Sequence, residues 1–181
     1  WFFGSGHPKL EVKYTYEPVK KEVVVNVNQT GSQYFEFPLA IDVYEGTKAT
    51  RHNVWVNAQN KNSYAFKFNQ KPDLVNVNAD GVLLAEIKDD KTPEQYFHQY
   101  QNSKDLKSRL LAIQNAKENL GKNPAAQKTI LAALKDPFFR LREEAIEAVD
   151  LKNAELKKLA LPELEKMAVS DPKTLVQAKA I

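Results

Sequence analysis

The stretch Lys88–Tyr100, KDDKTPEQYFHQY, decides the fold class, because the spacing of apolar residues changes across it. Before it, apolar and polar residues alternate; after it, apolar residues recur every three or four positions. Thr92 offers a side-chain oxygen to a first helical turn. Pro93 lacks only an N–H that such a turn leaves unbonded, and Glu94 follows at once. Together they predict a helix start. The charged residues just ahead place a boundary at 88–92, with a β domain over residues 1–90 and a helical domain over 91–181.

Upstream, KLEVKYTY sets Leu10, Val12, Tyr14 and Tyr16 against Lys9, Glu11, Lys13 and Thr15. YFEFPLAIDVY puts Phe35, Phe37, Leu39, Ile41 and Val43 on one face, with Glu36, Pro38 and Asp42 on the other. Val54, Val56, Tyr64, Phe66 and Phe68 continue the alternation. Successive strand side chains point to opposite faces, so these are strands with one buried face. EVVVNVN, rich in β-branched residues, suits a more deeply buried strand. QTGSQ, EGTK, QNKNS and NADGV separate the strands. Asp80-Gly81 predicts a tight turn, since Gly accepts positive φ without a Cβ clash. Pro38 cannot donate to a ladder and is expected at an edge or a bulge. About seven short strands at this spacing predict an antiparallel β-sandwich.

Downstream, SKDLKSRLLAIQNAKENLG places Leu106, Leu110, Ile113 and Ala116 on one stripe, with Ser103 as cap and Gly121 as closing residue. DPFFRLREEAI and DPKTLVQAKAI then match at Asp136 and Asp171, Pro137 and Pro172, Leu141 and Val176, Arg142 and Gln177, Ala145 and Ala180, and Ile146 and Ile181. The offset, roughly 35 residues, is that of helical-pair repeats. Asp is expected to cap each helix with Pro at its first position, and the small Ala lets a neighbouring helix approach closely. The prediction is a set of antiparallel HEAT-like helical repeats, which bury their apolar faces against one another. The plainer reading is that Asp-Pro opens many unrelated helices. Ile181 is expected in the core, and the chain is expected to be cut there. Trp1, Phe2 and Phe3 likewise look taken from a packed core, because natural termini are usually polar.

Composition narrows the function classes. With 43% hydrophobic and 27% charged residues the chain is globular. A net charge of +3, from interspersed rather than clustered signs, argues against a nucleic-acid partner. The absence of cysteine excludes disulfides, thiolate metal sites and thiol nucleophiles. No apolar run approaches the ~20 residues of a membrane span, and the opening lacks the pattern of a secretory signal.

A zinc peptidase needs H-E-x-x-H, two imidazoles one helical turn apart with a glutamate base between them. Here His7, His52 and His98 stand apart. His98 has Glu94 one turn back and could hold a metal weakly, though a surface pair is the simpler reading. His7 reads as a turn residue before Pro8, and His52, in phase with Val54 and Val56, as partly buried. There is no G-x-S-x-G elbow and no phosphate-binding loop, and Gly4 and Gly6 lack the strand and helix of a dinucleotide site. Glu143 and Glu144 could be imagined as an acid–base pair. With Arg140 and Arg142 beside them they read as solvated helix-face charges. Asn28 opens an N-x-T pattern of the glycosylation type, common by chance. Tyr34, Tyr44 and Trp55 leave a carbohydrate-binding sandwich open. No catalytic, cofactor-binding or metal-ligating residue is assigned.

WFFGSGHPKLEVKYTYE resembles the junction in aminopeptidase-N-type (gluzincin) zinc metallopeptidases, where a thermolysin-like catalytic domain ends on a Trp-containing helix and enters a β-sandwich. VVVNVNQT with Gln29, YFEFPLAIDVY, and KPDLVNVNADG resemble that sandwich's later strands, and helical repeats follow in the family as they do here. The resemblance implies the C-terminal, post-catalytic region of such an enzyme. The sandwich would serve as a spacer, the helices as a wall of the chamber that admits peptides. Trp1, Phe2 and Phe3 would pack against the missing catalytic domain. In the family the zinc ligands, the general base and the G-A-M-E-N motif belong to that preceding domain. Zinc is expected there and not in this chain, and no functional residue carries over. Asn- and Lys-rich strands suit a low-GC bacterium, with periplasm or cytoplasm as the compartment. The same residues also suit a stand-alone interaction module, a sandwich with a helical solenoid that binds a partner protein.

Overall fold

Seven strands come first and six helices follow in the computed structural model, which describes residues 6–181. Trp1, Phe2 and Phe3, with the packing expected of them, lie outside the described residues. The chain divides into two compact units, the residues up to Lys91 and Thr92–Ile181.

In the first unit β1 (Lys9–Glu17), β2 (Glu22–Gln29), β5 (Lys61–Lys67) and β7 (Glu86–Asp89) form one sheet in the order β5-β2-β1-β7. The other sheet, β4-β3-β6, is built from β3 (Phe37–Glu45), β4 (Lys48–Val56) and β6 (Leu74–Val77). One apolar core draws on both sheets: Leu10, Val12, Val23, Val25 and Val27 from the first, and Phe37, Leu39, Ile41, Val43 and Val56 from the second. Each such side chain, fully buried, contributes about 1.5–3 kcal/mol. β2 lies inside its sheet, with Val23, Val25 and Val27 buried and the residues between them half-buried.

Two expectations change, and one holds locally. The sheets are not wholly antiparallel, because β1 pairs with β7 in parallel, Lys9 opposite Glu86. β3 is a central strand in unbroken register with β4, so Pro38 marks no bulge, but Pro38 itself holds an edge position within it, as expected. It is tolerated because β6 pairs only with Ile41–Tyr44. Pro38 therefore has a strand neighbour on one side alone, and its missing N–H breaks no ladder. Nor does β3 keep one wet face, since Ala40, Asp42 and Tyr44 are buried along with Phe37, Leu39, Ile41 and Val43.

The Asp80-Gly81 turn forms, with Gly81 at φ 67 donating its N–H to the Asn78 carbonyl at 2.9 Å. It joins strands of different sheets, so it is a corner rather than a hairpin. Asn78 holds it. At φ 55 and buried, its side chain donates to the Leu83 carbonyl and accepts from the Leu83 N–H, both at 3.0 Å. Asn is one of the few residues at ease in this left-handed region. Asn78→Ala removes both bonds and strains the backbone. Its expected cost is about 2–3 kcal/mol, read as a lower urea midpoint, with Asn78→Gly recovering only the strain component.

The second unit holds α1 (Pro93–Asn102), α2 (Leu106–Asn119), α3 (Pro124–Ala133), α4 (Phe139–Ala148), α5 (Ala154–Ser170) and α6 (Thr174–Ala180). Thr92 caps α1 through a reciprocal pair of bonds with Gln95, so Gln95 rather than Glu94 completes the start signal. Ser103 ends α1. The cap of α2 is Asp105, whose carboxylate accepts from the Ser108 N–H at 2.8 Å. Gly121 stands just past α2 at φ 80, as a closing residue should. Ile113, Ala116, Ile130, Leu134, Leu141, Ala145, Leu164, Met167 and Val176 form the core, while Leu106 at the end of the expected stripe is exposed. Ile181, expected in the core, is 96% exposed.

Candidate functional site

The polar groups that the fold buries are the places to look for chemistry. In the helical unit they centre on Asp136 and Asp171. Neither caps a helix as expected, since α4 begins at Phe139 and α6 at Thr174. Each carboxylate instead turns onto the backbone two residues on: Asp136 accepts from the Phe138 N–H at 2.8 Å, Asp171 from the Lys173 N–H at 2.9 Å. This local turn satisfies the acid before any helical N–H is reached, and it leaves Pro137 and Pro172 ahead of their helices.

The match goes further. The Asp136 carbonyl accepts from the Arg142 Nη1 and the Asp171 carbonyl from the Gln177 Nε2, each at 2.8 Å. Each carboxylate also takes an arginine from an earlier helix. Arg109 donates to Asp136 at 2.8 Å, and Arg142 grips Asp171 with Nε and Nη2 at 2.8 and 2.7 Å. The Tyr100 hydroxyl donates to Asp136 at 2.8 Å; burial first, and this carboxylate second, push its pKa up. Burial works to raise the Asp171 carboxyl, but the Arg142 guanidinium and the Lys173 N–H outweigh it and hold the group below its ordinary value. Glu143, expected as a solvated helix-face charge, is buried, and so is Arg142. Its guanidinium also reaches the Pro137 carbonyl at 3.2 Å, so it acts as a structural clamp.

In the β unit the corresponding clamp is Gln29. Its Nε2 donates to the carbonyls of Phe35 at 2.7 Å and Asn57 at 3.0 Å, and its Oε1 accepts from the Phe35 N–H at 2.8 Å. The end of β2 is thereby tied to the segments before β3 and after β4, in the other sheet.

The candidates from sequence do not come together. His7 meets Glu86 at 2.7 Å on the surface, with Lys9 on the second carboxylate oxygen at 3.1 Å. Glu94 binds Asn123 at 2.9 Å rather than His98, whose carbonyl accepts from Asn102 at 2.9 Å. Glu143 is buried against Arg140 at 3.1 Å, which is an ion pair and not an acid–base dyad. Asn28 lies within a strand paired on both sides, opposite Glu11 and Lys61. Trp55 is 53% exposed but Tyr44 only 4%, so the aromatics considered for carbohydrate binding form no common platform. Gly6, at φ 93, belongs to the lead-in to β1. Among the described residues no three His, Asp or Glu side chains gather as metal ligands. The donor set that a zinc ion requires is not met by the groups around these histidines. No helix among them is long and apolar enough to cross a membrane. A hollow of about 330 Å³ opens beside Phe37, Leu39, Val82, Leu83 and Leu84, with Asp80 at its rim. Its walls are mostly apolar, with Asn53 and Asp80 the polar residues on them, and bring no nucleophile beside a base.

No protein-family model matches this sequence, and no curated protein does. The likeness lies in the fold. Part of an aminopeptidase has it. Aminopeptidase A of Legionella pneumophila, whose crystal structure was determined in complex with aspartic acid, matches 99% of this chain with a TM-score of 0.69 and 18% identity. The match takes up 27% of the Legionella chain, so the present chain spans about a quarter of that aminopeptidase.

Proposed function

We propose that this chain is the non-catalytic C-terminal region of a zinc-dependent aminopeptidase, a β-sandwich domain over residues 1–90 followed by the first HEAT-like repeats over 91–181. The observation that carries this reading is the asymmetry of the structural match: nearly all of this chain against about a quarter of an aminopeptidase. The side chains that the fold buries fit it. Gln29, Asn78, Arg142 and Asp171 hold turns and helices together. The repeat reading rests on the three bonds that Asp136 and Asp171 share, to the N–H two residues on, to the side chain six residues on, and to an earlier arginine. In the parent, the sandwich spaces the catalytic domain from the helices, and the helices wall the chamber that holds peptides. Zinc, supplied by the catalytic domain, would activate a water for attack on the N-terminal peptide bond.

The test is the coding sequence upstream of Trp1, read in frame. Codons for H-E-x-x-H and, on a later helix, a further Glu ligand are the expected result. A stop, or a start codon immediately before Trp1, overturns the reading in favour of a stand-alone interaction module.

A further inference from the structure

β4 and β5 are edge strands of different sheets, and no ladder joins them. Side chains close the gap. The Tyr64 hydroxyl on β5 donates to the Trp55 carbonyl on β4 at 2.6 Å. Beside it the His52 ring lies on Phe66, centroids 4.0 Å apart and planes 20° from parallel, with Phe68 edge-on at 5.9 Å. The His52 Nε2 is buried and has no hydrogen-bond partner. A neutral imidazole with its proton on Nδ1 tolerates this. A protonated ring does not, because it places a charged N–H at Nε2 with no acceptor. The attraction of an imidazolium for the Phe66 face is weak beside that loss.

The neighbouring charges are already paired. Asp42 on β3 takes Arg51 of β4 in a bidentate pair at 2.7 and 2.8 Å. Lys67 on β5 takes Glu22 of β2 at 2.8 Å. Among the phenols, Tyr64 is engaged with Trp55 and Tyr16 with the Phe68 carbonyl at 3.3 Å. We propose that His52 is an acid-sensitive closure of the β4–β5 flank: uncharged, it seals the gap with Phe66 and Phe68; protonated, it leaves the stack and exposes both rings. Burial lowers the His52 pKa, with Asp42 pulling the other way. A histidine held low when folded stabilises the flank above its unfolded value, about 6.5, and loses that effect as pH falls through the folded value.

The test follows the histidine resonances of the full chain by NMR between pH 8 and pH 5, with binding of a dye for exposed apolar surface over the same range. His52, assigned by its loss in His52→Gln, is expected to titrate below about 6.5. Dye fluorescence is expected to rise several-fold through that transition in the native chain, in His7→Gln and in His98→Gln, but not in His52→Phe. A His52 that titrates at or above the ordinary value overturns the proposal, as does an equal rise in His52→Phe. Should His52→Phe not fold, the titration of the native chain decides.

Discussion

Arg142→Met destabilises the helical unit by about 3–5 kcal/mol, the loss expected when one partner of a buried ion pair is removed and the other stays. Only 9% of the Arg142 side chain and 4% of the Asp171 side chain are exposed, so water cannot replace the pair in place. The substitution keeps the apolar stem, strips the two guanidinium bonds from the Asp171 carboxylate while the Lys173 N–H stays, and leaves the Asp136 and Pro137 carbonyls without their Arg142 donor. Arg142→Lys is expected to recover little, because an ammonium is a point charge and cannot reproduce the planar fork that spans four acceptors. The double variant Arg142→Met/Asp171→Leu is expected to regain much of the loss, since the stranded charge goes with its partner. Urea unfolding followed by far-UV circular dichroism checks all three. A single Arg142→Met variant within about 1 kcal/mol of the native chain would place the pair with exposed ion pairs, which contribute that little.

The order of elements was legible because apolar period is a local property. Alternation marks β1, β3, β4 and β5, a β-branched run marks β2, and the capping sequence at Thr92 marks the first helix. The parallel pairing of β1 with β7 was not legible, since no local pattern says which distant strand lies alongside Lys9–Val12. Asp136 and Asp171 were legible as matched positions but not as turns. An aspartate can bond the second or the third N–H after it, and sequence does not choose between them. The burial of Arg142 was not legible for a different reason: it depends on Asp171, a partner that stands beyond another helix in the chain. One signal was present. Arg142 and Gln177, which differ in charge, stand the same distance beyond their aspartates, and both can donate to a carbonyl. Gln29 also left a trace, for it continues the inward phase of Val23, Val25 and Val27, where a polar residue needs a buried partner.

Gln29 supports the second large prediction. Gln29 is 0% exposed, and its three bonds run to the backbone of Phe35 and Asn57, the Asn57 carbonyl also taking the Gln59 N–H at 2.7 Å. Gln29→Leu preserves the volume and leaves the Phe35 N–H and the Phe35 and Asn57 carbonyls without Gln29. The Asn57 carbonyl keeps its other donors, so at about 1–3 kcal/mol for each buried group left unmatched the expected loss is about 2–4 kcal/mol. Gln29→Glu separates hydrogen bonding from volume. Its carboxylate still accepts from the Phe35 N–H, but a second oxygen now faces two carbonyls where an amide donated. The charge is therefore disfavoured in the fold, and the new carboxyl titrates above its unfolded value, about 4.3. A group raised in this way is least harmful below the unfolded value and most harmful once pH has risen through the folded one. Relative to the native chain, Gln29→Glu should lose more stability at pH 7 than at pH 4, whereas the deficit of Gln29→Leu should be the same at both. Urea midpoints at the two pH values give the answer. Equal deficits for the two variants would mean that the amide donor of Gln29 does not carry the join between the sheets.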